Sequence, residues 1–441
     1  MQGSSPRAAP RLRCGSGQSL FGCPVDMQRI LFFIALAVVT LATGPVARAD
    51  APPKTLDEYL ALARAKNPAV ASAAAQARAA RERVGVAKGF PDPSLLYGYY
   101  LTAPTIEHGE SMDGRSELIL MQPFPFPGKR GLRGDLASHD ADVGARAYDA
   151  AALDLDYDVK RAFYDFVRVV EVESVLVSEH DLLHDMQDVT RVREAAGTAP
   201  QQDVLKLDLA IAELEDEMTM IEHEEDRTRA RLNELLGRDA HAPLPSPTWR
   251  IPDTTRAEAA ALADSAFARR PELSAAASAL QAAETSRRLA KREYIPDFVL
   301  GVKWEFGGVM DDDTWELMAG IDLPIWLGKR RAAVREAEAM GEAARYQLRA
   351  DSLRVHREVE DALHGVRAAH DRLVRFETRI LPRAEQTFHS SEAGYRAGRV
   401  EFIDYLDSQR MWLAMRREYF GVIAELGIET AALERAIAAR E

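Results

Sequence analysis

The strongest constraint on this chain is that its pattern is written twice. Gly197–Leu207 reads GTAPQQDVLKL and Gly398–Asp407 reads GRVEFIDYLD. Each has a Gly, then an Asp six places on (Asp203, Asp404), then a Leu two further (Leu205, Leu406), and the two copies lie 201 residues apart. Three other landmarks recur at offsets of 200–205 residues: Asn67-Pro68 with Arg270-Pro271, Pro91-Asp92 with Pro296-Asp297, and Gly128-Lys-Arg130 with Gly328-Lys-Arg330. A glycine turn between two long helical runs is the tip of a helical hairpin. The chain is therefore a tandem duplication with one hairpin tip per copy.

The duplicated part begins after a leader. Met27-Gln-Arg29, the apolar run Ile30–Thr43 and Ala47-Arg48-Ala49 form the basic start, short apolar core and A-x-A site of a secretory signal peptide. The run is too short to span a bilayer as a helix. Met27 is the expected start and Asp50 the expected first mature residue. Both cysteines, Cys14 and Cys23, fall in the leader, so the mature chain offers no disulfide, thiolate metal site or cysteine nucleophile. Removing the leader takes away five of 56 basic and one of 69 acidic residues and leaves a net charge of −17. An exported chain this acidic, with no basic stripe, is not a nucleic-acid binder.

Within each copy the pattern is helix–strand–strand–helix–helix. Thr55-Leu-Asp-Glu58 has capping-box spacing and starts a helical stretch running to about Lys88, divided at Asn67-Pro68. Strands are expected at Ser94–Leu101 and Glu117–Phe126, then a long helix to about Ala196, the Gly197 turn and a helix from Gln201 to Leu236. In that last helix Val204, Leu207, Ile211, Leu214, Met218 and Ile221 keep heptad a/d spacing. A Pro-rich linker follows and the order repeats. Strands are expected at Phe298–Phe306 and Trp315–Trp326, with a long helix to about Tyr395 that Pro382 should kink. The expected divisions are a leader (1–49), a first repeat (50–241), a linker (242–253) and a second repeat (254–441). No enzymatic nucleophile–base constellation stands out anywhere.

The strands carry the functional signal. Phe298, Leu300, Val302, Trp304 and Phe306 alternate with Val299, Gly301, Lys303 and Glu305, and the following strand alternates in the same way. Apolar-out, polar-in alternation over about 9–11 residues suits a transmembrane β-strand around a wet lumen. One such strand alone equally suits a half-buried strand of a soluble sheet. Trp304, Trp315 and Trp326 lie near strand ends, where aromatic girdles meet lipid headgroups. Four strands cannot close a barrel, and a bilayer tolerates no open sheet edge. Closure needs several copies of the chain; three would supply twelve strands and a lumen.

In these features the chain resembles outer-membrane efflux channels of the TolC type. The resemblance rests on Thr55-Leu-Asp-Glu58, Asn67-Pro68, Gln122-Pro-Phe-Pro-Phe-Pro-Gly-Lys-Arg130, Ile295-Pro-Asp297, Ile380-Leu-Pro382 and Tyr395–Gln409, and it covers nearly all of the mature chain. It implies a mainly α chain with a membrane β-barrel: a homotrimeric twelve-strand barrel in outer-membrane lipid on a long α-helical periplasmic barrel. It also implies a periplasmic adaptor and an inner-membrane efflux pump as partners, with no cofactor. The Pro-Phe-Pro-Gly-Lys-Arg segment is most similar to members serving heavy-metal cation pumps; type I secretion and drug-efflux ducts are the alternatives within the family. By this resemblance the tips around Gly197, Thr198, Asp203, Gly398, Arg399 and Asp404 dock the adaptor, and Asp404 and Asp407 narrow the pore. The two acids are three places apart and share a helix face. Solvated acids favoured by the helix dipole are the alternative reading. Asp203 has Lys206 three places on instead of a second acid, and Arg399 comes earlier than the family's basic tip residue.

Other signals carry less. The two Gly-Lys-Arg segments lack the spacing and the Ser/Thr of a phosphate loop, so their basic residues are expected to face headgroups or a neighbour at the barrel–tube junction. Asp311-Asp-Asp313 reads as a solvated loop or a divalent-cation site. The ten histidines show no H-E-x-x-H arrangement, so no metal site is assigned. The rival from another class is a soluble periplasmic coiled-coil adaptor or scaffold, which would carry one hairpin and not two.

Overall fold

The computed structural model describes residues 52–102, 113–252, 259–307 and 313–439. The expected leader, and residues 311 and 312 of the acidic loop, lie outside the described residues. The first copy contains α1 (Leu56–Lys66), α2 (Pro68–Lys88), β1 (Ser94–Thr102), β2 (Asp113–Phe124), α3 (Lys129–Ala195) and α4 (Gln201–Leu235). The second contains α5 (Ala259–Arg269), α6 (Pro271–Arg292), β3 (Asp297–Phe306), β4 (Thr314–Asp322), α7 (Leu327–Arg375), α8 (Leu381–Arg396) and α9 (Phe402–Ala436). Two helix–strand–strand–helix–helix repeats are thus present.

The local chemistry explains the boundaries. Thr55 and Glu58 form a reciprocal capping box at the start of α1. At Asn67 the helix stops and restarts. Its side-chain oxygen accepts from the backbone N–H of Ala69 at 2.9 Å, while its amide nitrogen donates to Leu235 O at 2.9 Å. Arg270 does the second of these jobs in the other copy. It is 1 % exposed, its guanidinium donates to Ala436 O at 3.3 Å, and its charge is met by Glu358 at 2.6 Å and Glu272 at 3.1 Å. Leu235 and Ala436 are themselves 201 residues apart. Each break in the short-helix column is therefore tied to the end of the last helix of its own copy, once by an amide and once by a buried cation.

α3 is one unbroken helix of 67 residues, about 100 Å long. Its counterpart is not continuous. The ladder widens into a π-turn at Phe376–Ile380 before α8 resumes with Pro382 in its first turn. Proline has no N–H and its ring crowds the carbonyl four residues back, so widening the ladder just upstream relieves both problems. The expected kink at Pro382 is thus realised as a π-turn before it.

Tyr59, Phe163, Phe166, Leu232 and Leu236 form a core where α1, α3 and α4 converge. A second core near the tips draws Leu207, Ile211 and Leu214 from α4 together with Phe388 of α8 and Phe402, Tyr405 and Leu406 of α9. The two hairpins are therefore packed against each other down to their ends. Full burial of each such Leu or Phe contributes about 1.5–3 kcal/mol. Among the described residues no helix is long and apolar enough to cross a membrane.

The four strands form one antiparallel sheet in the order β1-β2-β3-β4, joined across the copies by β2 and β3. β2 begins earlier than its sequence pattern indicates, because it pairs with β1 over all nine residues, up to Thr102 opposite Asp113. β4 ends at Asp322, so Trp326 stands outside the sheet at the N-cap of α7.

Candidate functional site

Two regions of the chain hold the candidate functional residues: the sheet at one end of the helices and the paired tips at the other. The sheet register puts the apolar residues on one face. Phe298 lies opposite Ile321, Leu300 opposite Ala319, Val302 opposite Leu317 and Trp304 opposite Trp315. Phe124, Leu120 and Leu118 of β2 extend the same rows. Leu95, Tyr97, Leu300, Trp315 and Leu317 are 50–82 % exposed. An apolar face of this size is not stable in water and suits lipid. The other face holds charge: Lys303 lies 2.8 Å from Glu305 and 2.6 Å from Glu316. Trp304 and Trp315 stack at 5.5 Å with planes 8° apart at the end away from the helices. Trp326, 75 % exposed, marks the end where the helices begin.

Between sheet and helices the structure corrects one expectation. Lys129 faces neither headgroups nor a neighbouring copy. It is 1 % exposed and its ammonium donates to Ile295 O at 2.7 Å, with Asp297 at 2.9 Å and Glu293 at 3.6 Å. Asp297 also accepts from Phe126 N–H at 2.6 Å, and Arg330 approaches Glu293 at 3.5 Å. The start of α3 is clamped to the start of β3 across the two copies. Arg130 lies over the Phe90 ring at 3.8 Å. Lys329, at the equivalent place in the second motif, is exposed. No sequence signal separates the two lysines, because the residues around Lys129 come from more than 160 places away.

At the other end the tips are built alike. Gly197 (φ +70°) and Gly398 (φ +68°) hold the left-handed conformation that closes a helix C-terminus. Thr198 N–H donates to Arg193 O at 2.8 Å and Arg399 N–H to Gly394 O at 2.9 Å, the same backbone closure in both. Thr198 adds a hydroxyl bond to Arg193 O at 2.9 Å. Asp203 and Asp404 each fall in the first turn of the next helix, where the dipole favours negative charge.

The side chains differ. Asp404 and Asp407 are both exposed on one face of α9 and make no ion pair among the described residues, while Asp203 and Lys206 are half-buried. Arg399 is exposed. The second tip is stiffened by aromatic stacking: Tyr395 on Tyr405 at 5.1 Å and 4°, and Phe388 on Trp412 at 4.8 Å and 3°. Arg193 of the first hairpin reaches over the Tyr395 ring at 5.0 Å. Burial pushes the Tyr405 phenol up to about 12, with Glu392 adding to it. Glu213 and Glu217 of α4 pair with Arg410, at 2.9 Å, and Arg417 of α9. Arg410, the first cation after the acid pair on α9, is therefore already engaged by the other hairpin.

Comparison with known proteins agrees with this geometry. The family model described as outer membrane efflux protein matches residues 59–238 and 262–439. The chain belongs to this family. It is 25 % identical over 381 residues to the pyoverdine export outer membrane protein OpmQ of Pseudomonas putida, covering 80 % of this chain and 79 % of OpmQ. It is 22 % identical over 420 residues to the cobalt-zinc-cadmium resistance protein CzcC of Cupriavidus metallidurans, covering 90 % of this chain and 97 % of CzcC. The solved outer-membrane channel OprN superposes with a TM-score of 0.76 at 20 % identity, covering 87 % of this chain and 90 % of OprN. CusC gives 0.76 at 16 %, covering 87 % and 91 %. As an outer membrane efflux protein the chain is a channel and not an enzyme. Its sheet lies in the outer membrane and its helices form a tube in the periplasm.

Proposed function

We propose that three copies of the chain close their sheets into a twelve-strand outer-membrane barrel and pass heavy-metal cations outward. The observation that carries the assembly is the open sheet. β1 and β4 have no further strand on their outer edges among the described residues, yet the apolar face is continuous. Lipid leaves such edges no partner except another copy of the chain. Residues 50–241 and 254–441 are the two repeats, joined by 242–253. Trp304, Trp315 and Trp326 sit at the headgroup levels.

The tube receives its substrate from an inner-membrane pump through a periplasmic adaptor that docks on the tips, at Gly197, Thr198 and Asp203 and at Gly398, Arg399 and Asp404. Asp404 and Asp407 from three copies form rings of negative charge that narrow the pore and favour cations. Support for the metal reading comes from the near full-length match to CzcC and from the exposed acid pair, which makes no ion pair among the described residues. Siderophore export is the second reading, because OpmQ is the more identical relative.

A deletion strain separates them. The expected result is increased sensitivity to cobalt, zinc or cadmium, restored by the intact gene. Unchanged metal tolerance together with retained siderophore would overturn the metal reading and favour the second.

A further inference from the structure

One cluster of chemistry lies outside both regions. His180 and His184 stand one turn apart on α3, and Glu215 faces them from α4. The two Nε2 atoms are 3.2 Å apart and His180 Nε2 is 3.8 Å from Glu215 Oε1. All three ligand atoms lie within 4.8 Å of one another, and the rings meet edge-on with centroids 4.4 Å apart. The position is about 20 Å along α3 from the Gly197 turn, at the surface of the tip core; His180 is 29 % and Glu215 60 % exposed.

These distances have a specific meaning. Ligand atoms at about 2.0–2.1 Å from a tetrahedral zinc ion are separated by about 3.3 Å. The two imidazole nitrogens already stand at that separation, and the carboxylate oxygen needs only a small side-chain rotation to reach it. Two neutral imidazoles and a carboxylate also match the preference of borderline divalent metals for nitrogen and oxygen donors. The i, i+4 spacing of the histidines was present in the sequence, but Glu215 comes from 31 residues further along and only the folded hairpin brings it near.

We propose that His180, His184 and Glu215 form a binding site for one divalent transition-metal ion of the zinc class per protomer. Each imidazole offers its Nε2 lone pair, Glu215 supplies the anionic third ligand, and water completes the tetrahedron. The ion ties α3 to α4 below the first tip, so it stiffens that hairpin and stabilises the folded chain by mass action. The site stands whatever the channel exports, and its test reads binding and not export.

The experiment uses the full chain extracted in detergent, carrying a purification tag without histidine and stripped by chelator. Cobalt(II) is the probe, because a four-coordinate ion gives an intense visible band. The expected result is a band that saturates at one cobalt per protomer and disappears on adding zinc. His180→Ala and His184→Ala each weaken cobalt binding at least about tenfold, and Glu215→Gln weakens it less. Zinc raises the melting temperature of the wild type but not of the double histidine variant, whose melting temperature without metal equals that of the wild type. A wild-type protein that gives no four-coordinate band, or a double variant that binds cobalt as tightly, would overturn the site and leave a plain imidazole–imidazole hydrogen bond.

Discussion

The two copies of the duplicated unit keep the same backbone and spend it differently. At the tips, Gly197 and Gly398 close their helices with matching φ values and the same hydrogen bond. Yet one tip presents Asp404 and Asp407 to solvent, while in the other Asp203 and Lys206 are both half-buried. At the junction with the sheet, Gly128-Lys-Arg and Gly328-Lys-Arg share a motif, but Lys129 is enclosed by Asp297, Glu293 and Ile295 O while Lys329 is exposed. Duplication therefore conserves what the backbone needs and frees the side chains to specialise. The first copy clamps its long helix to β3 through Lys129, and we propose that the second narrows the tube's far end through Asp404 and Asp407.

The largest test of that division is at the junction. Asp297→Ala leaves Lys129 buried without its nearest anion and Phe126 N–H without an acceptor. The expected loss of stability is about 3 kcal/mol, at the lower end for a broken buried pair because Glu293 and Ile295 O remain. Lys329→Ala is expected to change stability by no more than about 0.5 kcal/mol. Thermal unfolding in detergent measures both, and equal effects would remove the asymmetry between the two motifs.

The tips should show the opposite, a symmetry. Gly197→Val and Gly398→Val each force a branched side chain into the left-handed region, at about 1–2 kcal/mol. Similar losses are expected at the two sites. A loss confined to one tip would mean that the shared backbone closure is not what matters there.

A smaller difference is written in alkaline pH. The Tyr405 phenol is held up to about 12 by burial, and Val204 occupies the equivalent position in the first copy. The folded state keeps this proton more tightly than the unfolded chain does. Stability from Tyr405 is therefore complete below pH 10 and lost as pH rises from 10 to about 12. Hydrogen exchange or limited proteolysis over that window should loosen the second tip first, and Tyr405→Phe should remove its share of the effect. A first tip that loosens equally would break the assignment.

The sequence carried the duplication, the strand dyad and both tips, because each is a local pattern: a glycine at a helix end, an alternation of two, a capping box at Thr55. It was silent where the answer lies across the chain. The environment of Lys129 is made by residues 293–297, and Arg270 replaces Asn67 at one anchor by a different chemistry aimed at an equivalent carbonyl. Pro382 signalled a disturbed helix but not that the strain would be absorbed at Phe376–Ile380. The acids Asp404 and Asp407 were legible as a pair; that the neighbouring Arg410 and Arg417 are held by Glu213 and Glu217 was not.

Single-channel conductance in planar bilayers tests the division of labour between the hairpins most directly. Asp404→Ala/Asp407→Ala is expected to raise the closed-state conductance several-fold and weaken cation selectivity, while Asp203→Ala leaves both close to wild type. Unchanged conductance in the double variant, or an equal rise with Asp203→Ala, would contradict it.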